Sequence, residues 1–331
     1  MCFVEIRLYY CYTYIDFKIC DSGGCMKLRV LCFGGKLGFM LRKIFPKLCG
    51  DSYLFLSRKN FNGVIKKYIN DDYYKPVFIS VETINRCNGT CPFCPCNIND
   101  ESRPYKEMSD KVFNKIISDL KEMDYDGTLM LLANNEIFLD KKIMSRLKYA
   151  REELPKCHMK IITNGKLLSL KIFDELNNKK LVDELVINNY NSTTELNPMI
   201  KKIYNKYKDI DLNMEVVINI RYCNEVLSNR AGNSPNKKNK RIIKDLCVLP
   251  FTDININPDG NLLICCCDAM EKTNLGNVMD NKIIDIFNND KYVDIRNKIR
   301  NGRNNYSFCK YCDFNDVGTR KKLIKNVMKE R

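Results

Sequence analysis

Three cysteines stand close together in this chain, in a pattern that suits a metal cluster. Cys87, Cys91 and Cys94 form a CxxxCxxC loop, and an alternating apolar segment, 77–83, precedes it. Three thiolates in one loop can bind three irons of a cubane cluster and leave the fourth iron open to a small chelating molecule. A zinc site would need a fourth ligand, which only the nearby Cys96 could supply, so a zinc knuckle and unliganded core cysteines are the alternatives.

A second set of cysteines comes from distant parts of the chain. Cys247 precedes a predicted β-hairpin, Cys265 lies on that hairpin, and Cys309 and Cys312 form a CxxC pair farther on. Four thiolates are a full ligand set for a [4Fe–4S] cluster and equally for a tetrahedral zinc. The spacing therefore predicts a metal site but leaves its metal open.

Cys265 is the first of three consecutive cysteines. Neighbouring side chains of a strand point to opposite faces, so we expect Cys265 and Cys267 to share a side and Cys266 to face away. The sequence assigns no role to Cys266 or Cys267.

The composition narrows the chemistry further. The 331 residues include 18 cysteines, one histidine and no tryptophan. Mixed Cys/His zinc sites are therefore nearly excluded, and Ser-His-Asp catalysis would need His158, which we expect to be solvated or capping. No run of about 18 apolar residues is present, so we predict no transmembrane segment and a reducing, cytoplasmic location, where clustered cysteines bind metals.

The formal net charge is +15, which raises the question of a nucleic-acid partner. The basic residues are spread among asparagine and isoleucine along the whole chain, and no basic stripe interleaved with aromatics is present. This distribution favours a solvated basic surface over a nucleic-acid footprint.

Apolar periodicity predicts alternating strands and helices, which must position the cysteines. The predicted strands are 77–83, 128–133, 159–163, 184–188 and 214–220. Helices between them are predicted after a Ser109 cap and near 141–152, 170–177 and 195–207, and another near 282–300. Such alternation is typical of an α/β fold with a parallel sheet, whose functional loops lie at the carboxyl ends of the strands. Five repeats are too few for a closed eight-stranded barrel, so we predict a partial (β/α) barrel.

Composition and period suggest five parts of the chain. They are an N-terminal extension (1–75), the partial barrel (76–223), a polar linker (224–246), a small domain of β-hairpin and helix (247–318) and a basic tail (319–331). For the extension two interpretations compete: an amphipathic segment that lies on a membrane or partner, and an extension with a mis-set start site or loose packing.

The segment CNGTCPFC after a strand that carries Glu82 resembles the signature of the radical S-adenosylmethionine (SAM) superfamily. The C-terminal part, with a cysteine, a GxxxxC hairpin and a CxxC pair, resembles the SPASM/twitch extension of that superfamily. Gly318 stands where a full SPASM domain has its next cysteine, so the twitch form with one auxiliary cluster is the better match. The segment 227–232 further resembles twitch enzymes of the 2-deoxy-scyllo-inosamine dehydrogenase kind.

The resemblance implies two [4Fe–4S] clusters and SAM as cofactors. It assigns Cys87, Cys91 and Cys94 to the first cluster. The same resemblance assigns the auxiliary cluster to Cys247, Cys265, Cys309 and Cys312. It implies that SAM is contacted by Phe93, Asn134, Asn135, Glu136, Thr163 and Asn164. Asn134 and Asn135 replace the two glycines of the family's GGE-like motif, whereas Glu136 is retained.

The implied activity is hydrogen abstraction by a 5′-deoxyadenosyl radical, followed by oxidation of an alcohol of a sugar, aminocyclitol or related metabolite. Arg230 is the candidate for orienting the substrate, and a flavodoxin or ferredoxin would supply low-potential electrons. Two alternatives remain at this point: a SPASM enzyme that modifies a peptide, and a non-enzymatic zinc or iron–sulfur module.

Overall fold

The computed structural model describes residues 8–9, 12–13, 28–32, 35–44, 68–69, 73–98, 103–238 and 241–314; the predicted tail 319–331 lies outside them. The strands are β1 (Leu8–Tyr9), β2 (Tyr12–Thr13), β3 (Leu28–Cys32), β4 (Phe78–Val81), β5 (Thr128–Met130), β6 (His158–Thr163), β7 (Glu184–Asn191), β8 (Glu215–Tyr222), β9 (Asp253–Ile256) and β10 (Leu262–Leu263). The α-helices are α1 (Gly35–Ile44), α2 (Pro95–Ile98), α3 (Asp110–Glu122), α4 (Ile143–Glu153), α5 (Leu170–Asn178), α6 (Pro198–Tyr207), α7 (Leu249–Thr252), α8 (Ile283–Phe287) and α9 (Asp290–Arg300). Short 3₁₀ helices cover Ile137–Leu139, Arg230–Gly232 and Arg303–Asn305.

One sheet of eight strands organises the described residues, in the order β10-β9-β4-β5-β6-β7-β8-β3. β10 is antiparallel to β9, and every other neighbouring pair is parallel. Because β10 and β3 lie at opposite ends of the order, the sheet is open. The predicted α/β fold with a partial barrel is confirmed, and the carboxyl ends of its parallel strands share one edge.

The strands at the centre of the sheet are buried on both faces, including the polar residues Asp253 and Asn255 of β9. All residues of β4, β5 and β9 are buried, as expected for parallel strands covered by helices. The predicted cap of α3 is confirmed, because the Ser109 hydroxyl accepts the N–H of Val112 at 3.2 Å. The buried face of α3 includes Phe113, Ile116 and Leu120.

The predicted C-terminal hairpin is confirmed as the antiparallel pair β9–β10, and it belongs to the same sheet as the barrel strands. β9 lies parallel to β4, with Ile79 opposite Ile254. Gly260 in the hairpin turn has φ +85°, and a Cβ there would lie 2.8 Å from Val278. This turn therefore requires glycine for both backbone and space.

The single helix predicted near 282–300 is wrong, because the segment forms two helices, α8 and α9. Asn288 ends α8, and its side-chain amide donates to the carbonyls of Ile284 and Tyr74 at 3.0 Å each. Asn289 begins α9 as its N-cap by accepting the N–H of Tyr292 at 3.0 Å. Two adjacent asparagines that cap opposite helices explain the break.

Strand β3 and the buried residues Tyr68, Ile69 and Tyr74 of the N-terminal part pack on the same core. β3 pairs in parallel with β8, with Val30 opposite Ile218. The Tyr74 hydroxyl donates to the carbonyl of Ile69 at 2.7 Å, and both residues are buried. None of the helices described here is long and apolar enough to cross a membrane.

Candidate cluster and cofactor sites

The CxxxCxxC loop follows β4 and leaves its three cysteines half-buried. The N–H of Gly89 donates to the Cys87 sulfur at 3.3 Å, and the N–H of Cys94 donates to the carbonyl of Cys91 at 3.0 Å. Burial raises the pKa of Cys87 to about 11 and that of Cys91 to about 12. A thiolate in these positions requires a compensating cation, so the loop fits the iron of a cluster, which binds the deprotonated form.

Cys96, the candidate fourth ligand of a zinc knuckle, is buried beside an arginine. Arg103 donates through Nη1 to the Cys96 sulfur at 3.0 Å and through Nη2 to the Glu82 carboxylate at 2.9 Å. A hydrogen bond with Cys94, together with burial, raises the pKa of Cys96. Arg103 thus ties this sulfur to the carboxyl end of β4.

Phe93, which precedes the last cysteine of the loop, is buried against the end of β7. Its ring centroid lies 5.8 Å from that of Tyr190. Its carbonyl accepts the hydroxyl of Ser234 at 3.1 Å, so a residue of the predicted linker also fixes this loop. The aromatic position expected from the sequence therefore anchors the cysteine loop to the sheet.

Glu136, Thr163 and Asn164 come together at the carboxyl ends of neighbouring strands. The Glu136 carboxylate is buried and accepts the Thr163 hydroxyl at 2.6 Å and the backbone N–H of Asn164 at 2.8 Å. Burial raises the pKa of Glu136, although these hydrogen bonds oppose the rise. The Asn164 amide donates to the Asn88 side chain at 2.8 Å, which links this cluster to the cysteine loop.

Asn134 and Asn135 lie in the turn after β5. The backbone N–H of Asn134 donates to the Glu82 carboxylate at 3.2 Å. Asn135 accepts the N–H of Ala133 at 3.0 Å through its side-chain oxygen, whereas its buried amide nitrogen has no hydrogen-bond partner among the described residues. A buried donor without a partner beside the cluster loop fits a site that receives a polar cofactor.

Arg230 joins the two cysteine regions. Its Nη2 donates to the Asn134 side-chain oxygen at 2.7 Å and to the carbonyl of Cys266 at 2.9 Å. Its backbone has φ 47°, in the left-handed region. Burial alone would lower the pKa of Arg230, but the charges of Cys267 and Cys266 outweigh it and raise the pKa, so the guanidinium stays protonated.

The four cysteines of the second set are all buried: Cys247, Cys265, Cys309 and Cys312. Burial, opposed by the charge of Arg303 and supported by the charges of Cys265 and Cys312, raises the pKa of Cys247 to about 12. Cys312 differs, because a hydrogen bond with Cys267 and the charge of Arg303 lower its pKa to about 7. These buried thiols therefore influence one another electrostatically, as the members of one site do.

A [4Fe–4S] cluster and a single metal ion place different demands on these cysteines. A tetrahedral zinc needs its ligands around one point, whereas each thiolate of a [4Fe–4S] cluster binds its own iron. No three His, Cys, Asp or Glu side chains of the described residues are arranged to hold one metal ion.

Sequence reasoning missed several residues of these sites and judged His158 correctly. His158 is 46% exposed, as expected for a solvated residue. Arg303, which is fully buried, carries no sequence signal that distinguishes it from other arginines. Cys267 could have been found from the prediction that its side chain points to the same side as that of Cys265. Both are buried and Cys266 is half-buried, although the segment is a turn rather than a strand.

Comparison with known proteins agrees with this geometry. The sequence model of the radical SAM superfamily matches residues 81–224, and that of the SPASM iron–sulfur cluster-binding domain matches residues 247–313. The S-adenosyl-L-methionine-dependent 2-deoxy-scyllo-inosamine dehydrogenase of Niallia circulans is 26% identical over 242 residues, which cover 73% of this chain and 94% of that protein.

Two solved structures share the fold. The crystal structure of BtrN in complex with AdoMet and 2-DOIA has a TM-score of 0.62 at 24% identity. The match covers 73% of this chain and 94% of the BtrN chain. Selenomethionine BtrN in an open conformation has a TM-score of 0.54 at 22% identity, and covers 72% of this chain and 93% of that one.

Proposed function

Because this chain belongs to the radical SAM superfamily and carries a SPASM iron–sulfur domain, we propose that it oxidises an alcohol group of a sugar, aminocyclitol or related metabolite. The protein is a radical SAM oxidoreductase that uses iron–sulfur clusters and SAM. The name of its relative from Niallia circulans, a dehydrogenase of an aminocyclitol, supports this substrate class.

The observation that carries the proposal is the bridge made by Arg230. Its guanidinium contacts both Asn134, beside the first cysteine loop, and the Cys266 carbonyl, beside the second set of cysteines. A substrate held by this cation would lie between the two cysteine sites. We assign Arg230 to orienting the hydroxyl or a carboxylate of the substrate.

We assign the first cluster to Cys87, Cys91 and Cys94 and the auxiliary cluster to Cys247, Cys265, Cys309 and Cys312. When bound, these clusters and SAM supply a 5′-deoxyadenosyl radical for hydrogen abstraction and an acceptor for the electron that the substrate loses.

The residues around the first cluster would position SAM and exclude water. Asn135 offers a buried amide donor that lacks a partner among the described residues, and Glu136 offers the carboxylate that the family uses for the amino group of SAM. Phe93 holds the cysteine loop against Tyr190 and shields one side of it. Thr163 and Asn164 would fix the Glu136 carboxylate for this contact.

A low-potential donor such as a flavodoxin or ferredoxin would supply the electron for each turnover, and we place the enzyme in the cytoplasm. The peptide-modifying and non-enzymatic alternatives are less favoured, since the relative with the dehydrogenase name aligns with 73% of this chain.

The test is an anaerobic assay of the reconstituted protein, which should contain about eight irons per chain. With SAM, a reductant and a panel of aminocyclitols and sugars, it should form 5′-deoxyadenosine and an oxidised product in parallel. Cys91→Ala should abolish 5′-deoxyadenosine, because it removes one of three cluster ligands. Cys96→Ala is the matched control and should keep most of the activity. Three thiolates suffice for this cluster, and the Cys96 sulfur is bound by Arg103 and not assigned to iron.

Two results would overturn the proposal. Undiminished 5′-deoxyadenosine in Cys91→Ala would refute the cluster assignment. Oxidation of none of the aminocyclitols and sugars, together with modification of a peptide, would refute the substrate class.

A further inference from the structure

A fifth thiol lies in the auxiliary site besides the four that the family pattern assigns. Cys267 is 1% exposed, and its thiol neighbours the sulfurs of Cys265, Cys266 and Cys312. It therefore contacts two of the assigned ligands, one on its own turn and one on the CxxC pair. A [4Fe–4S] cluster whose four irons are all held by the protein uses four thiolates, so the site contains one more than such a cluster requires.

The turn that carries Cys267 is held in place by buried hydrogen bonds. The N–H of Asp268 donates to the carbonyl of Cys265 at 3.0 Å. The Asp268 carboxylate, fully buried, accepts the Thr273 N–H at 2.7 Å and the Thr273 hydroxyl at 2.6 Å. The Asn233 amide donates to the carbonyl of Cys267 at 2.9 Å. Both thiols are thus fixed on the same side of a turn that cannot easily rearrange.

We propose that the turn 265–267 supplies one thiolate to the auxiliary cluster and that either Cys265 or Cys267 can supply it. The two thiols are two residues apart on one turn, neighbour each other and are both buried. The cluster keeps four thiolates when one of the two is removed, because the remaining one takes its place with Cys247, Cys309 and Cys312.

This inference rests on the auxiliary cluster of the proposed function, and the experiment separates the two. The starting protein is the full chain with Cys87, Cys91 and Cys94 all changed to alanine, so that only the auxiliary site can bind iron. After anaerobic reconstitution it should contain about four irons per chain. If it contains none, the auxiliary cluster itself is refuted, and the proposed function with it.

Four further changes are made in that background: Cys265→Ala, Cys267→Ala, the double change Cys265→Ala/Cys267→Ala, and Cys309→Ala. Cys266→Ala is the matched control, because Cys266 is adjacent but half-buried. The readouts are iron and sulfide content and the rate at which a chelator removes iron, with circular dichroism as the measure of folding. None of them depends on turnover.

Each single change at 265 or 267 should leave the iron content unchanged and the chelation rate within about twofold of the control. The double variant and Cys309→Ala should each lose iron about tenfold faster, since three protein thiolates remain in both. The inference is overturned if Cys265→Ala loses iron as fast as Cys309→Ala, whether by unfolding or by lability. It is overturned equally if the double variant is no more labile than Cys265→Ala.

Discussion

Arg303 offers a test of how the auxiliary domain is held together, because it is completely buried and all its bonds go to backbone carbonyls. Its Nε donates to Asp245 at 2.8 Å, its Nη1 to Cys312 and Phe314 at 2.8 Å each, and its Nη2 to Leu246 at 3.0 Å. Arg303→Met keeps much of the side-chain volume but leaves four carbonyls without this donor. At about 1 kcal/mol for each carbonyl, the low end of the usual cost, the loss is about 4 kcal/mol. For a cooperative unit of about 150–250 residues, which the shared sheet makes the relevant size, that corresponds to a melting temperature lowered by about 8–16 °C.

A second buried arginine of the same region serves as the matched control. Arg296 is 1% exposed, but it donates only through Nε, to the Pro250 carbonyl at 2.9 Å. Its guanidinium lies over the rings of Tyr74, Phe287 and Tyr292 at 4.3–4.8 Å, and both Nη atoms lack hydrogen-bond partners among the described residues. Burial lowers the pKa of Arg296 to about 10. Arg296→Met loses one carbonyl contact, about 1 kcal/mol, and the cation–π contact, about 2 kcal/mol, but methionine can pack among the same rings and return about 1 kcal/mol, so the variant should cost only about 2 kcal/mol.

The measurement is thermal unfolding of both reconstituted variants and the parent protein by circular dichroism, with iron content recorded for each. The reasoning predicts that Arg303→Met melts well below Arg296→Met and also binds less auxiliary iron. Melting of the two variants within about 2 °C of each other would show that the four carbonyl hydrogen bonds of Arg303 stabilise the protein by less than about 4 kcal/mol.

Three further substitutions test the hairpin turn, the auxiliary cluster and the Arg103–Glu82 ion pair. Gly260→Ala should lower stability by about 2 kcal/mol in the same melting assay, because φ is +85° and the new Cβ would lie 2.8 Å from Val278; an unchanged melting temperature would contradict this. Cys309→Ala should still form 5′-deoxyadenosine but no oxidised product, with circular dichroism to exclude unfolding; normal product formation in a folded variant would remove the auxiliary cluster from turnover. Arg103→Met should cost about 3–5 kcal/mol by leaving the buried Glu82 unpaired, and adding Glu82→Gln should recover part of that loss; a double variant no more stable than the single one would argue against an ion-pair effect.

The parallel strands and the cysteine loop could be predicted because their signals are local. Val77, Ile79 and Val81 alternate over one short segment, and the loop cysteines follow it immediately, so neither depends on distant contacts. The Ser109 cap is equally local, since its hydroxyl bonds an N–H three residues away.

The features that could not be predicted all depend on pairing between distant segments. The sequence contains nothing that would place β9 beside β4, because about 170 residues separate them and both are short strands without a distinguishing pattern. Arg103 and Arg303 acquire their roles only once the fold brings carboxylate and carbonyl groups around them. Cys265 and Cys267 are both buried, as the predicted alternation required, but they lie on a tight turn and not on the expected strand.

The pairing of β9 with β4 has a consequence for the chemistry. β4 leads into the first cysteine loop and β9 into the hairpin that carries the auxiliary cysteines, and the N–H of Glu82 donates to the carbonyl of Ile256 at 2.8 Å just beyond their paired residues. Lys106, which follows the first loop, pairs with Glu271 beyond the hairpin at 3.1 Å. The two sites are therefore held relative to each other by main-chain hydrogen bonds of one sheet, and Arg230 of the predicted linker adds a side-chain bridge between them. Under the proposed function, a substrate between the sites would be positioned by groups fixed on this sheet, which suits a reaction whose hydrogen abstraction and electron transfer must act on the same small molecule.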